Sequence, residues 1–207
     1  MRRLAPFLFF LVDCTPAIQS AAVTPALADL HDVKVDTTIM QRFAFRSPKA
    51  RVLVVSNDMV NGDHHLRFTK VRGSIAIDPK ARRGHLHVDV AMDALVAESD
   101  FITDFASYVL EPARFPHAIL DAKLEPIDGD PSALLVTGNM NLHGFERGIV
   151  FRAQLSDDHR FRAVFDMSRH AFGIEARPEE GDGLVRDDFT VTFDFRANPE
   201  RVTAEEP

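Results

Sequence analysis

A period of two in the placement of apolar side chains is the feature that most constrains this chain. It is clearest between Leu134 and Leu155, where one face carries Leu134, Val136, Met140, Leu142, Phe151, Ala153 and Leu155. Polar side chains such as Asn139 and Gln154 occupy the positions between them. This alternation is typical of half-buried antiparallel strands. The interruption from Leu142 to Gly148 has a glycine near each end, where a hairpin loop needs positive φ. The stretch is predicted to be a β-hairpin.

The same alternation recurs along most of the chain and predicts an all-β fold. Six further strands are predicted around residues 51–55, 66–78, 85–92, 118–125, 160–167 and 189–195. A slip in the apolar phase at Thr69-Lys70 predicts a bulge, and residues 97–110, with helical spacing and a following Pro112, are predicted as the single short helix. Residues 29–50 are left open as an entry strand or an arm. About eight consecutive antiparallel strands can close into a barrel. We therefore predict an eight-stranded antiparallel barrel, with nine strands as a variant and a two-sheet sandwich as the alternative.

The N-terminus predicts export. Met1-Arg2-Arg3 precedes an apolar run from Leu4 to Val12, and Ala26-Leu27-Ala28 offers small residues for cleavage. The run is too short to span a membrane, so residues 1–28 are predicted to be a signal peptide, with cleavage after Ala22 as a second option. Residues 29–197 are then one barrel domain in the periplasm, and 198–207 a polar tail. The lone cysteine, Cys14, lies in the signal, so a lipoprotein site is a weaker alternative, and the mature chain has no thiol.

Charge excludes one class of partner. The formal net charge is −7, whereas nucleic-acid binding depends on clustered Lys and Arg. The basic run Lys80-Ala81-Arg82-Arg83 stands in a turn flanked by Pro79 and Gly84. Nucleic-acid binding is not expected.

Few residues predict catalytic or metal chemistry. His85, His87 and Asp89 share one face of a strand and form the best metal candidate, but the alternation makes this the water-facing side. His64 and His65 are adjacent and point in opposite directions. Ser168 near His170, and Ser107 near Asp104, lack the glycine elbow of a catalytic serine. We predict no catalytic residue, no metal and no cofactor, and therefore no enzyme.

The inward faces of the predicted strands are almost entirely apolar. The inward set comprises Phe68, Ile75, Ile77, Val88, Val90, Met92, Leu120, Met140, Leu142, Phe151, Phe165, Phe189, Val191 and Phe193. An open space between them would favour an apolar guest, since each buried methylene contributes about 0.8 kcal/mol. Alternation does not distinguish this from an interior that its own side chains fill.

Four motifs in order along the chain resemble the YceI-like family. They are Val71-Arg72-Gly73-Ser74-Ile75-Ala76-Ile77-Asp78, Phe115-Pro116-His117-Ala118-Ile119-Leu120, the hairpin Gly138 to Arg147, and Arg169-His170-Ala171-Phe172-Gly173-Ile174. The resemblance runs from about Leu66 to Arg196. Glu146 stands where the family pattern commonly has Thr, and residues 29–65 match poorly.

The resemblance implies a function. YceI-like proteins are exported, lipocalin-like barrels that bind polyisoprenoid lipids. The inward set, without Phe189 and with Phe172, is therefore expected to hold a polyisoprenoid or isoprenoid-quinone tail. His143, Arg147 or Arg169 would contact a pyrophosphate or quinone head at the rim. A periplasmic carrier is therefore expected, with transient membrane-surface contact and a homodimer left open. The alternatives are a ligand-free module that docks on a membrane redox partner, and an enzyme using His143 or His170 on such a lipid.

Overall fold

Strands account for most of the folded chain. The computed structural model describes residues 40–58, 62–175 and 185–199, so the predicted signal peptide lies outside the described residues. The strands are β1 Gln41–Arg46, β2 Ala50–Asp58, β3 Gly62–Phe68, β4 Val71–Ile77, β5 Gly84–Ala91, β6 Leu95–Val96, β7 His117–Ile127, β8 Asp130–Leu142, β9 Phe145–Leu155, β10 Arg160–Ser168, β11 Val185–Arg196 and β12 Asn198–Pro199. One α-helix, α1 Asp100–Leu110, and two 3₁₀ turns, Met92–Ala94 and His170–Phe172, complete the elements of these ranges.

All strands belong to one curled antiparallel sheet. The order is β12-β1-β4-β5-β7-β8-β9-β10-β11-β2-β3-β6, so most strands pair with their neighbours in the chain, as expected for consecutive hairpins. The predicted all-β, lipocalin-like architecture with one inserted helix is confirmed. A single sheet also excludes the two-sheet sandwich.

The predicted strand count was wrong, because the described residues form twelve strands in a half-barrel and not eight or nine. Two long runs of chain bend sharply. The first bends between β1 and β2 at Ser47–Lys49, and the second bends between β3 and β4 at Thr69-Lys70, where a bulge was predicted. Each bend divides one run into two strands with different partners: β1 pairs with β4, whereas β2 pairs with β11 and β3. The strand count is raised further by β6 and β12, which are short strands of two residues each.

Residues at both ends of the predicted domain form strands that their sequence did not predict. Of residues 29–50, left open as an entry strand or an arm, Gln41–Arg46 form β1 and Ala50 begins β2. The predicted strand at 51–55 is part of the longer β2, and β3 begins at Gly62, before the predicted start at residue 66. Asn198 and Pro199, placed in the polar tail, pair with Ala44 and Phe43 as β12. The rest of that tail lies outside the described residues.

The central hairpin is tighter than predicted. β8 and β9 are joined by the two residues His143 and Gly144, with φ of 53° and 77°. Positive φ at both central residues is the type I′ geometry, whose twist matches that of paired strands. Residues 145–148 therefore belong to β9, and Gly148 pairs with Asn139 in the ladder rather than serving the turn.

The helix begins later than predicted. Ser99 caps its N-terminus, where the Ser99 side chain accepts a hydrogen bond from the Ile102 backbone N–H at 3.3 Å, as an N-cap serine does. It ends at Leu110, and Glu111 adopts the left-handed conformation with φ of 45°. Before the helix, Leu95 and Val96 form the short strand β6, which pairs with β3.

Aromatic rings fill one end of the half-barrel. The ring of Phe195 stacks on those of Phe45 and Phe161, with centroids 4.4 and 5.9 Å apart. Phe195 and Phe161 are fully buried. Stacked rings at these separations leave little space. The other end of the half-barrel is covered by α1.

Candidate functional site

A cavity of about 370 Å³ lies between α1 and the sheet. Its wall takes side chains from β2, β3, β5, α1, β7, β8, β10 and β11. The described side chains that line it are apolar apart from Ser56, His64 and Arg169. A concave apolar site of this size is typical of small-molecule binding sites, which span about 300–1,000 Å³.

Nine of the side chains predicted to hold a ligand line this cavity. They are Phe68, Val88, Val90, Met92, Leu120, Met140, Leu142, Val191 and Phe193. All nine are buried. Phe189, also in the predicted inward set, lines the cavity and is half-buried.

Five predicted ligand-binding side chains are not part of the cavity wall: Ile75, Ile77, Phe151, Phe165 and Phe172. Ile75 and Ile77 are buried at the opposite end of the half-barrel, beside Phe43. The Phe151 and Phe165 rings stack on each other with centroids 4.0 Å apart. Phe172 is buried in the 3₁₀ turn His170–Phe172. Alternation places these side chains on the inner face without giving their depth along the barrel.

The helix supplies part of the wall that the sequence analysis did not assign. Phe101, Ile102 and Phe105 line the cavity from α1, and Phe101 is also 75% exposed, so it stands where the cavity reaches solvent. The helical spacing of these residues indicated an apolar face. That spacing did not indicate which part of the sheet the face covers.

The polar part of the wall includes His64, for which the sequence predicted no site. Its Nδ1 lies 2.7 Å from Oε1 of Glu98, a residue just before α1. The hydrogen bond from His64 lowers the pKa of the Glu98 carboxyl below its ordinary value. Ser56 faces the same space from the partner strand β2, since Ser56 and His64 are paired in the ladder.

Arg169, a predicted head-group residue, lines the cavity and is buried. Its guanidinium donates to three carbonyl oxygens: Nε to Arg186 at 3.1 Å, Nη1 to Ile174 at 3.0 Å and Nη2 to Val185 at 3.0 Å. These bonds join the chain after β10 to the start of β11. In this arrangement the side chain supports the wall.

The other two predicted head-group residues, His143 and Arg147, do not line the cavity. His143 is buried, with its ring centroid 4.3 Å from that of Phe115 and its Nε2 3.3 Å from Oε2 of Glu111. Arg147 is exposed and donates from Nε to the carbonyl of Ala171 at 2.9 Å.

Three of the motifs that carry the family resemblance meet around these residues. The Phe145 ring packs so closely on Gly173 that a Cβ there would lie 2.4 Å from Phe145 Cε2. The Phe115 ring packs on Gly144 in the same way, with 2.6 Å to Cε1. Together with the Arg147–Ala171 bond, these contacts tie the β8–β9 hairpin to the segment before β7 and to the 3₁₀ turn His170–Phe172. The motifs therefore stabilise the fold beside the cavity.

On the outer face of the sheet, polar side chains bind one another. His87 Nδ1 lies 2.6 Å from Asp121 Oδ1. Asp89 accepts hydrogen bonds from Arg72 Nη2 at 2.6 Å and lies 2.7 Å from His117 Nδ1. The predicted metal candidate is thus divided between separate pairs, and no cluster of three metal-binding side chains occurs among the described residues.

Ser168, the last residue of β10, and His170 do not form a nucleophilic pair. Ser168 Oγ donates to Asp187 Oδ1 at 2.9 Å. His170 Nδ1 contacts the same carboxylate at 2.9 Å. A catalytic serine donates to its histidine, with the carboxylate on the far side of the ring. Here the carboxylate lies between them.

No helix in ranges 40–58, 62–175 and 185–199 is long and apolar enough to cross a membrane.

Solved structures share this fold. The chain matches BcnA of Burkholderia cenocepacia with a TM-score of 0.64 and 18% identity, over 70% of this chain and 94% of that one. It matches a polyisoprenoid binding domain from Saccharophagus degradans, implicated in plant cell wall breakdown, with a TM-score of 0.56 and 15% identity, over 76% and 98%. A Campylobacter jejuni YceI protein gives a TM-score of 0.55 and 18% identity, over 66% and 84%. No curated protein sequence matches the chain.

A family model covers nearly all of the described residues. The YceI-like domain model matches residues 42–197, which runs from β1 to the end of β11. It therefore includes β1 to β3, which the sequence motifs did not reach. The protein belongs to the YceI-like domain family.

Proposed function

We propose that this protein is an exported carrier that binds a long-chain isoprenoid lipid, such as a polyisoprenoid or an isoprenoid quinone, in the cavity between α1 and the sheet. The observation that carries the proposal is the cavity of about 370 Å³ with an almost wholly apolar wall. Water gains few hydrogen bonds from such a wall, whereas each methylene moved into it from water contributes about 0.8 kcal/mol.

The wall suits a slender, branched chain. It is built from Val, Leu, Ile, Met and Phe side chains on both the sheet and the helix, so a guest is contacted from two sides. Methionines such as Met92, Met140 and Met167 adapt to irregular shapes. The described relative from Saccharophagus degradans is a polyisoprenoid binding domain, which supports the same class of guest for this chain.

The proposed place of action is the periplasm. Its support is the N-terminal sequence, with a basic start, a short apolar run and the Ala26-Leu27-Ala28 triplet. A carrier there would move a water-insoluble lipid between membranes. Transient contact with a membrane surface is a prediction that follows from such a role, and a homodimer stays an open possibility.

Extraction of the protein tests the proposal. The mature chain, purified from its own host, is extracted with organic solvent and the extract analysed by mass spectrometry. An isoprenoid lipid near one molar equivalent is expected. Repeated extracts without lipid would remove the support for a carrier and leave the ligand-free interaction module.

A substitution that fills the cavity tests whether the extracted lipid was bound there. Ala118 lines the cavity from β7 and is half-buried, so Ala118→Phe places a ring in the space. The matched control is Ala76→Phe, because Ala76 is half-buried on β4 and lies outside the cavity wall. At least tenfold less lipid is expected with Ala118→Phe and no loss with Ala76→Phe.

The enzyme alternative uses His143 or His170 on the bound lipid. Neither imidazole lines the cavity, and His170 is engaged by Asp187. Incubation of the purified protein with its extracted lipid is expected to leave the lipid unchanged. Turnover that disappears in His143→Ala would favour the enzyme instead.

A further inference from the structure

The cavity reaches solvent beside the N-terminus of α1. Phe101, in the first turn of the helix, both lines the cavity and is 75% exposed. Glu98 precedes it by one turn and is hydrogen-bonded to His64, another lining residue. We call this region, from Glu98 to Asp104 with His64 and Ser56, the mouth.

The mouth includes three acidic residues. Glu98, Asp100 and Asp104 are exposed on the segment that enters α1 and on its first two turns. The hydrogen bond from His64 lowers the pKa of Glu98, so this carboxylate is ionised at neutral pH. The helix N-terminus contributes about half a positive charge, which Asp100 in its first turn more than offsets.

Among the described residues, Arg169 in the cavity wall and Arg186 beside it are both engaged by other groups. Arg169 lines the wall, but its guanidinium donates to the carbonyls of Arg186, Ile174 and Val185. The exposed side chain of Arg186 at the start of β11 lies with its Nε 3.4 Å from Asp188 Oδ1. A phosphate bound in a protein normally needs charge-assisted donors, often a bidentate arginine. At this mouth a second anion would instead meet carboxylates in a partly apolar setting, where repulsion is stronger than in water.

We propose that the mouth selects guests whose polar end is uncharged and hydrogen-bonding, such as an alcohol, a ketone or an amide, and rejects phosphate and diphosphate esters. The inference rests on the proposed function and narrows its ligand class. Ser56 in the mouth wall suits such an end group because a hydroxyl forms neutral hydrogen bonds as donor and as acceptor. The predicted pyrophosphate head is thereby set aside in favour of a neutral one.

Two lipids with the same tail test the proposal. Geranylgeraniol and geranylgeranyl diphosphate share a C20 chain and differ only at the polar end. Each is titrated against the delipidated mature protein loaded with Nile red, an uncharged fluorescent probe of apolar sites, at low salt. The alcohol is expected to displace the probe at a concentration at least tenfold lower than the diphosphate.

Removing the charge of Glu98 distinguishes electrostatic repulsion of the diphosphate from the effect of its size. Glu98→Gln keeps the shape of the side chain and its capacity to bond His64, and should narrow the alcohol-to-diphosphate ratio at least threefold. The control is Glu125→Gln, because Glu125 is another exposed acid and lies outside the cavity wall on β7, so the ratio should stay unchanged. Raising the salt concentration should also narrow the ratio, because ions screen exposed charges.

The outcomes distinguish the two proposals. A diphosphate that displaces the probe as well as the alcohol does would overturn neutral selectivity and leave the carrier function standing. An alcohol-to-diphosphate ratio that changes neither in Glu98→Gln nor with salt would mean that the size of the diphosphate group causes the discrimination. That result would also overturn the charge argument. If neither lipid displaces the probe, the carrier function fails and the selectivity falls with it.

Discussion

Asp89 shows how a single residue on the outer wall contributes to stability. It is one of three buried polar side chains in the described ranges, with His143 and Arg169. Burial raises the pKa of Asp89, but the hydrogen bonds from Arg72 and His117 outweigh it, so the net pKa lies below the ordinary value. A carboxylate held in this way stabilises the fold in its ionised form.

Replacement of this carboxylate should be costly at neutral pH. Asp89→Asn keeps the shape but weakens two charge-assisted bonds, so we expect a loss of about 1–3 kcal/mol in the free energy of unfolding. Because the folded pKa is lowered, the contribution is complete above the unfolded pKa of about 3.9 and disappears as pH falls through the folded pKa. Urea denaturation from pH 7 to pH 2 should therefore show the two proteins converging in acid.

The control for this series is Asp121→Asn. Asp121 pairs with His87 on the same face but its side chain is 70% exposed, and exposed pairs contribute at most about 1 kcal/mol. An equal loss in both variants would mean that burial does not strengthen the Asp89 contacts.

A second residue-scale prediction concerns Gly173. Its φ is 61°, and a Cβ there would lie 2.4 Å from the Phe145 ring. Gly129 has φ of 83° with nothing within 4 Å of the corresponding Cβ. Gly129→Ala therefore measures the backbone cost alone, about 1 kcal/mol, and Gly173→Ala should cost about 1–3 kcal/mol more through the clash. Thermal denaturation would show this difference, and adding Phe145→Ala should recover part of it.

At the scale of the element, β11 shows how alternation separates two environments within one strand. Val191, Phe193 and Phe195 are buried, while Thr192 and Asp194 between them are half-buried on the outer face. On that face Asp194 accepts two hydrogen bonds from Arg160, from Nε at 2.7 Å and Nη2 at 2.6 Å. The outer face of β11 thus already accommodates an arginine side chain.

Arginine substitutions on neighbouring positions of β11 should have opposite outcomes. Phe193→Arg places an unpaired charge in the cavity wall, which we expect to cost about 3–5 kcal/mol or to prevent folding. Thr192→Arg should change the free energy of unfolding by less than about 0.5 kcal/mol, because the long side chain reaches water. Circular dichroism with urea titration measures both, and equal tolerance would contradict the assigned faces.

On the scale of the whole molecule, the half-barrel has a filled end and an open end. Phe45, Phe161 and Phe195 stack in the filled end, while the cavity occupies the end that α1 covers. Stability and binding should therefore depend on different residues, because packing density controls the first and empty apolar space the second.

Two truncations test this division. Phe195→Ala removes a fully buried ring and should cost about 3–5 kcal/mol, with little change in lipid affinity of the folded protein. Leu66→Ala removes a half-buried side chain of the cavity wall and should cost less than about 1.5 kcal/mol, with affinity reduced about tenfold. Urea titration and Nile red binding on the same samples give both quantities. A large loss of affinity in Phe195→Ala would show that the ends are coupled.

The sequence predicted the elements whose signal is local. Period-two alternation identified the inner and outer faces, as with Phe193 and Thr192, because side-chain direction in a strand is set by the pleat alone. Helical spacing from Phe101 to Val109 identified α1, and the ordered motifs identified the family. These features depend on neighbours within a few residues.

Tertiary structure alone decided the strand count and the depth of each inward side chain. Whether Gln41 to Ile77 forms two strands or four depends on where the chain bends, so that β1 pairs with β4 and β2 pairs with the distant β11. Phe151 and Val88 have the same alternation, yet Phe151 stacks on Phe165 and Val88 faces the cavity. The sequence determined which face each side chain occupies, whereas the curl of the sheet and the docking of α1 determined where the interior is filled and where it stays open.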